Sequence, residues 1–242
     1  MRSESKASPD PFADPRLSQV PDRIYKFMPS RFLNAFLEGA SVRIGTIVDF
    51  RNTEAHGGSK GDADENSIDI GFPQNHRHSS PVNLDDSRFG PARSFVNSRT
   101  GVSISGGTVG IGRTVFRIDG KNNPIFCASL EFNEEIAENL DFEYDCCVSI
   151  SNVDDFLRQT MVGVSKHLRV DCGVSCGPVI YTRRVHSLDE QKFRMSPFEK
   201  HERFREDKEF RIMYQVDTSV GAPFNIKIDT AGSDMRLEWR RT

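Results

Sequence analysis

Residues 204–214 read FREDKEFRIMY, a charged run that leads directly into an alternating, strand-like segment. Side chains two positions apart on a β-strand point to the same face, so Glu209 and Arg211 are predicted to lie side by side. A carboxylate and a guanidinium so placed either form an ion pair or hold a ligand. The stretch therefore predicts a late strand that carries the candidate chemistry of the chain.

Three acidic residues, Glu206, Asp207 and Glu209, cluster in the same stretch. If the strand begins at Asp207, this residue and Glu209 lie on one strand edge. Such a geometry suits a general base next to a carboxylate that orients a ribose. It also suits a solvated strand edge on which Arg205 and Lys208 are the ion partners. Both interpretations stay open at this point.

The composition is that of an ordinary folded domain with a slightly negative charge. The chain has 242 residues, enough for one large domain or two small ones, and a net charge of -3. This charge argues against a protein that coats nucleic acid. No run approaches the roughly 20 apolar residues that span a bilayer, so no membrane partner is expected. The five cysteines include an adjacent pair, which favours free thiols in a reducing cytoplasm.

Changes in composition divide the chain into a lead-in, a domain and a polar excursion. Residues 1–21 are rich in Ser, Pro and Asp and are predicted to be disordered. Residues 22–242 are predicted to form a single domain. Within it, residues 51–100 are rich in Gly, Asp, Asn, Ser and His, and a long excursion with little regular structure is expected there.

Apolar periodicity predicts many strands with helices interspersed between them. Strand and helix do not alternate regularly, which favours an α+β fold with mixed, mainly antiparallel sheets and short helices over a doubly wound sheet. Strands are predicted at 23–28, 41–50, 125–130, 144–150, 168–172 and 209–216, among others. Helices are predicted between Ser30 and Gly39, at 131–140, at 153–162, and over a polar stretch from Ser187 to about Lys208.

Three further motifs are interpreted as structural. The segment Gly107–Gly112 lacks the spacing of a phosphate loop and no helix follows it, so a glycine-rich hairpin is predicted. His76 and His78 have no identifiable third ligand, and the cysteines form no paired Cys-x-x-Cys knuckles. No metal site is therefore expected.

Four short motifs occur in a recognisable order along the chain. They are Ile24–Phe27, Phe50–Glu54, Phe126–Ser129 and Asp207–Arg211. This order resembles the bacterial family known as domain of unknown function 2971. Its members open with a Tyr-Lys-Tyr-like strand, continue with a Phe-Asn-Asp-Pro-x-Glu-like element and a Cys-Phe-Ser strand, and close with Glu-x-Glu-Tyr-Arg. The resemblance covers residues 23–216, with an aspartate at the first acid of the closing motif.

The order of elements is also similar to that of NAD-dependent ADP-ribosyltransferases. This resemblance implies an ADP-ribosyltransferase-like fold with Glu209 as the catalytic residue and Asp207 as its acidic partner. The glutamate would bond the nicotinamide-ribose hydroxyl and stabilise oxocarbenium-like charge as nicotinamide leaves. A cation near the first strand would hold the pyrophosphate. The residues implied to bind NAD are Arg23, Tyr25, Lys26, Asn52, Ser129 and Arg211, with the strand of Ser103 and Ser105 as the alternative to that of Ser129.

The expected function is that of a cytoplasmic NAD-cleaving or mono-ADP-ribosyltransferase-like enzyme, an effector or defence protein of a bacterium or phage. NAD is the expected cosubstrate, and a protein or nucleic acid is the expected acceptor. The alternative is a non-enzymatic domain that binds a ligand or a protein, in which Glu209 and Arg211 are a structural pair. A third interpretation is a metal-dependent nuclease that uses Asp207, Glu209 and Lys208.

Overall fold

The computed structural model of the protein describes residues 20–51, 62, 66–71, 82–83, 85–100, 108–109, 116–140, 143–182, 185–187, 196–229 and 234–241. The predicted disordered lead-in lies outside these residues except for its last two positions, of which Val20 packs against the core. Other predictions that fall outside the described residues concern Asn52, His76, His78, Ser103, Ser105 and the turn of the glycine-rich hairpin.

The described residues form a mixed α+β fold with mostly antiparallel sheet and short helices, which confirms the predicted class. The strands are β1 (Arg23–Met28), β2 (Ser41–Thr46), β3 (Ser67–Gly71), β4 (Val82–Asn83), β5 (Thr108–Val109), β6 (Phe116–Asp119), β7 (Pro124–Ser129), β8 (Cys146–Ser151), β9 (Gly173–Pro178), β10 (Ile180–Thr182), β11 (Val185–Ser187), β12 (Glu199–His201), β13 (Glu209–Gln215), β14 (Phe224–Lys227) and β15 (Asp234–Arg240). The α-helices are α1 (Leu33–Leu37), α2 (Ile47–Arg51), α3 (Gly90–Thr100), α4 (Glu134–Leu140) and α5 (Val153–Leu168), and short 3₁₀ helices span Ser30–Phe32, Ser87–Phe89 and Glu202–Asp207. Of the helices in this part of the chain, none has the length and apolar character needed to cross a membrane.

The main sheet branches at strand β7. Along one edge, β7 pairs with β13 from Ile125 to Ser129, and β13 pairs in turn with β9. Along the other edge, Ser129 pairs with Tyr25 of β1, whereas Ile125 pairs with Gly45 of β2. The β1 arm continues to β8 and β15, and the β2 arm continues to β14. All these pairs are antiparallel, and the two arms diverge from each other along β7.

Helix α5 covers one face of this sheet and packs against β9, β13 and β14. Its buried residues recur at helical spacing and form one stripe. They are Val153, Phe156, Leu157, Thr160, Gly163 and Val164. Two aspartates occupy its first turn, and a lysine and a histidine occupy its last, as the helix dipole favours. The helix predicted at 153–162 is confirmed and extends to Leu168, so the strand predicted at 168–172 is wrong and the next strand begins at Gly173.

Strand β13 lies inside the sheet, between β7 and β9, and is buried at every position except Gln215. Its core-facing residues are Phe210, Ile212 and Tyr214, which belong to the same hydrophobic cluster as the buried stripe of α5. Glu209 and Arg211 alternate with them and therefore point to the opposite face. Two charged residues thus occupy inner positions of an interior strand, where burial is costly unless each charge has a partner.

The strand predicted at 41–50 is wrong in its second half. Strand β2 stops at Thr46, whose Oγ1 accepts a hydrogen bond from the backbone N of Asp49 (3.1 Å) as α2 begins. Gly45 leaves room for the ring of Phe50, because a Cβ atom at that position would lie only 2.6 Å from that ring. The short helix therefore folds the Phe50 ring back over the end of β2.

Two polar segments differ in structure from the sequence predictions. The excursion at 51–100 contains β3 and α3 among its described residues. The helix predicted from Ser187 to about Lys208 is wrong in its described part, which forms β12 and the 3₁₀ helix Glu202–Asp207. Strand β12 pairs in parallel with β10, so that Lys200 lies opposite Tyr181.

The packing of α5 gives a matched test of the core. Val164 is fully buried and Val162 is 43% exposed on the same helix. Each valine-to-alanine change alters helix propensity equally, so the difference isolates burial. Val164→Ala should lower the free energy of unfolding by about 2 kcal/mol through lost apolar burial and a small cavity. Val162→Ala should leave it nearly unchanged in urea denaturation, and equal losses would contradict the assignment of this face.

Candidate functional site

Four charged side chains meet on the face of β13 that points away from α5. Lys200 Nζ donates to Asp207 Oδ2 (2.8 Å) and to Glu209 Oε2 (2.9 Å), and Arg211 Nε donates to Glu209 Oε1 (2.6 Å). All four residues are at most 7% exposed. We call this group the charge cluster. Its two carboxylates and two cations balance, which is what allows these charges to be buried.

The backbone brings the two carboxylates together in a way that strand alternation does not explain. Asp207 ends the 3₁₀ helix Glu202–Asp207, and Lys208 follows in the left-handed conformation with φ 47°. The strand begins at Glu209, as predicted, so Asp207 does not lie on the strand edge that it would share with Glu209 if the strand began two residues earlier. The turn at Lys208 directs the Asp207 side chain toward Lys200, which bridges it to Glu209.

The ion partners also differ from those expected for a solvated strand edge. Within the described part of the chain, Arg205 and Lys208 form no ion pair with Asp207 or Glu209. Lys200 takes that role, although no sequence pattern singled it out. The face shared by Glu209 and Arg211 is confirmed, because their side chains are in direct contact.

The two carboxylates have opposite pKa shifts. Burial acts to raise the pKa of Glu209, but Arg211 and Lys200 outweigh burial and hold that pKa well below its ordinary value. Burial raises the pKa of Asp207 above its ordinary value, and repulsion from Glu209 adds to this shift. Lys200 opposes the shift but does not cancel it. A pair of acids with pKa values pushed apart is typical of sites that carry out acid–base chemistry. Glu209 is therefore the firmly ionised member, and Asp207 is the stronger base.

Neighbouring groups fix the charge cluster in place. The guanidinium of Arg211 donates through Nη1 to the carbonyl oxygen of Pro197. Ser129 Oγ donates to the carbonyl oxygen of Asp207 (3.0 Å), which ties β7 to the turn before β13. The backbone N of Glu209 donates to the hydroxyl of Tyr181 (2.8 Å). These contacts hold both carboxylates without using up all their lone pairs.

A cleft of about 70 Å³ opens above the charge cluster. It has aromatic walls and a charged floor. Its lining residues are Tyr25, Lys26, Phe27, Phe50, Cys127, Ala128, Ser129, Tyr144, Lys200, Asp207 and Glu209. The walls come from both arms of the branched sheet, since Tyr25 and Phe27 lie on β1 and Phe50 follows β2 in α2. Of the residues expected to bind NAD, Tyr25, Lys26 and Ser129 lie at this cleft.

Lys26 lies where the two arms of the sheet diverge. Cys127 lies between Ser129, which pairs with β1, and Ile125, which pairs with β2. Lys26 Nζ donates to the carbonyl oxygen of Cys127 (2.7 Å) and lies 4.9 Å from the centre of the Phe126 ring. The ammonium thus supplies the hydrogen bond that neither arm provides at Cys127.

Other expectations for the site have mixed outcomes. Arg23 lies outside the cleft: its Nε donates to Ser151 Oγ (3.2 Å), and its side chain is 51% exposed. Its expected role as a ligand of NAD is therefore not supported by position. In the described part, no group of three or more His, Cys, Asp or Glu side chains is placed to hold a metal ion. The Lys200 ammonium instead lies between the two carboxylates that the nuclease interpretation assigns to a metal.

The cysteines near the site are not activated. All five are free thiols, and Cys127 lines the cleft. Burial is the main cause that raises the pKa of Cys127 far above its ordinary value, with the charge of Glu209 adding to it. Burial likewise raises the pKa of Cys146 to about 11 and that of Cys147 to about 12. A thiol that keeps its proton is a poor nucleophile.

A second cavity, of about 350 Å³, also adjoins Glu209. We call it the outer cavity. Its lining residues are Leu130, Glu131, Pro178, Val179, Tyr181, Arg205, Lys208 and Glu209. Glu209 is thus common to the cleft and the outer cavity.

No match to this chain was found among protein-family models, curated proteins or solved structures. The resemblances to the domain of unknown function 2971 family and to ADP-ribosyltransferases therefore stay predictions. Function is inferred instead from the chemistry of the site.

Replacing Lys200 by methionine tests the balance of charges. The change keeps most of the side-chain volume but leaves two buried carboxylates facing each other. We expect the free energy of unfolding at about pH 7 to fall by roughly 3–5 kcal/mol. Urea denaturation of the variant beside wild type measures this loss.

The loss should depend on pH with a defined sign. Without Lys200, burial and the charge of Glu209 hold the pKa of Asp207 still further above its unfolded value. Such a group favours the folded state below the unfolded pKa and disfavours it as the pH rises through the folded pKa. The loss in free energy of unfolding caused by Lys200→Met should therefore be smaller at about pH 4 than at about pH 7. Lys166→Met, at an exposed lysine of α5, is the control. If Lys200→Met lowers the free energy of unfolding equally at both pH values, the bridging role of Lys200 is refuted.

Proposed function

We propose that the protein cleaves the bond between nicotinamide and ribose in NAD and passes the ADP-ribosyl group to a protein, a nucleic acid or water. One observation carries this proposal: a firmly ionised carboxylate, Glu209, lies on the floor of a cleft with aromatic walls. Cleavage of this bond develops positive charge on the ribose, which such a carboxylate is suited to stabilise.

The walls of the cleft suit the leaving group. Nicotinamide is a flat aromatic ring, and flat rings stack against aromatic side chains. Tyr25, Phe27, Phe50 and Tyr144 supply such surfaces around the charge cluster. In the proposed complex the nicotinamide ring packs among these side chains, and the ribose lies against Glu209.

The proposed reaction has two steps. The ribose C1′–nitrogen bond breaks, its electron pair returns to the nicotinamide ring, and nicotinamide leaves as a neutral molecule. The positive charge that remains on the ribose is stabilised by Glu209. The acceptor then forms a bond to C1′ and gives its proton to Asp207, whose raised pKa makes it a stronger base than a free aspartate.

In this mechanism Lys200 is a positioning residue. Its Nζ holds one oxygen of each carboxylate and leaves the other oxygen of Asp207 to take a proton. Arg211 holds the remaining oxygen of Glu209 from the side. Together the two cations keep Glu209 ionised in a buried setting, so that it offers charge rather than a proton.

A non-enzymatic binding domain is the second candidate, and two observations favour it. Both oxygens of Glu209 already accept hydrogen bonds from buried cations. The cleft, at about 70 Å³, is also well below the roughly 300–1,000 Å³ of most small-molecule sites. In that case the charge cluster would hold β12 against the sheet, and NAD would neither be cleaved nor raise the melting temperature.

Glu209→Gln separates the two candidates. Loss of the anion should reduce nicotinamide release from NAD by roughly 100-fold or more, because the ribose charge loses its partner. The measurement is free nicotinamide after incubation with NAD and a cell lysate that supplies acceptors. Glu206→Gln, at an exposed acid in the same segment, is the matched control and should retain wild-type release.

The stability of Glu209→Gln must be measured alongside its activity. The change leaves Arg211 and Lys200 with one fewer anionic partner, so its melting temperature should fall. Release is therefore compared at a temperature where circular dichroism shows both proteins folded. Equal release of nicotinamide by wild type and by a folded Glu209→Gln protein would disprove the catalytic role of Glu209. If wild type neither releases nicotinamide nor shows a rise in melting temperature with NAD, the binding domain is favoured.

A further inference from the structure

The outer cavity contains two cations that the charge cluster does not use. Arg205 is exposed and Lys208 is half-buried, and both line this cavity. Neither side chain forms an ion pair or hydrogen bond with any described residue. Cations that face a cavity without a partner are available to an anionic ligand.

The balance of charge in the outer cavity favours an anion. Two carboxylates, those of Glu131 and Glu209, also line it. The charge of Glu209 is already balanced by Lys200 and Arg211, neither of which lines the outer cavity. Arg205 and Lys208 therefore outweigh the single remaining carboxylate, that of Glu131, and leave the cavity with a net positive charge.

Tyr181 supplies a third donor. Its hydroxyl oxygen accepts a hydrogen bond from the backbone N of Glu209 (2.8 Å), which leaves the hydroxyl hydrogen free to donate. Burial is the main cause that raises the pKa of Tyr181 far above its ordinary value, so the hydroxyl keeps its proton at neutral pH. No described residue accepts that proton, and Tyr181 lines the outer cavity.

The backbone holds these donors in place. Lys208 adopts a left-handed conformation with φ 47°, and its carbonyl oxygen accepts a hydrogen bond from the backbone N of Leu130 (2.8 Å). The backbone N of Lys208 donates to the carbonyl oxygen of Arg205 (3.4 Å). One tight turn therefore fixes the backbone of both cations, whose residues line the outer cavity.

We infer that the outer cavity binds the phosphate groups of the ligand whose ribose lies at Glu209. The inference rests on the proposed function, which it extends by assigning Arg205, Lys208 and Tyr181 as phosphate donors. A volume of about 350 Å³ lies within the roughly 300–1,000 Å³ of small-molecule sites. Because Glu209 lines both spaces, a nucleotide can place its nicotinamide ring in the cleft and its phosphates in the outer cavity.

Two probes separate the two ends of such a ligand. ADP carries phosphates without nicotinamide, and nicotinamide riboside carries nicotinamide and ribose without phosphates. Isothermal titration calorimetry with the full chain measures both affinities. Arg205→Gln and Lys208→Asn remove the cations, and asparagine suits the left-handed conformation at position 208. Lys166→Gln, at an exposed lysine of α5 away from both spaces, is the control.

Each variant in the outer cavity should weaken ADP binding roughly tenfold, because it removes one charge-assisted contact to phosphate. Binding of nicotinamide riboside should stay within about twofold of wild type. The affinity of wild type for ADP should also fall as salt is raised, since these cations are partly exposed. Lys166→Gln should match wild type with both probes.

The outcomes distinguish this inference from the proposed function. Wild type that does not bind ADP, or variants that bind it equally well, would overturn the phosphate site. An equal loss of both probes would also overturn it, because the variants would then disturb the whole site. ADP binding that depends on Arg205 and Lys208, without any release of nicotinamide from NAD, would keep the phosphate site and reject NAD cleavage.

Discussion

The rest of the site depends on the hydrogen bonds from Lys200 to two buried carboxylates, those of Asp207 and Glu209. Glu209 and Arg211 lie on an interior strand, where an unpaired charge would cost several kcal/mol. Arg211 alone balances Glu209 but leaves Asp207 without a cation. Lys200 supplies the second cation from β12, which pairs with β10. These hydrogen bonds connect β12 to the start of β13.

The branching of the sheet explains why a cleft forms at this place. A sheet with one partner strand on each edge of β7 would be continuous, whereas two arms that diverge leave a gap between them. Lys26 satisfies the backbone in that gap, and aromatic side chains from both arms form its walls. The charged floor and the aromatic walls therefore come from separate parts of the chain that meet only in the fold.

Sequence patterns predicted the parts of this protein that depend on local periodicity. The α+β class, the helix α5 and the shared face of Glu209 and Arg211 all follow from spacing alone. The partner of the carboxylates did not, because Lys200 lies in a polar segment whose strand is fixed by pairing with β10. The reversal after Thr46 was missed because Ile47 and Val48 have strong strand propensity, which a capping contact overrides. The left-handed turn at Lys208 has no propensity signal, since lysine rarely adopts it.

The close approach of Gly45 to the Phe50 ring affects the wall of the cleft and not its charged floor. Phe50 forms part of the cleft wall, and a single added methyl group at position 45 would push its ring aside. The shape of the cleft wall thus depends on a residue that is not part of the charge cluster. A change at position 45 alters the aromatic wall and leaves the hydrogen bonds among Lys200, Asp207, Glu209 and Arg211 in place, so the wall and the floor of the cleft vary independently.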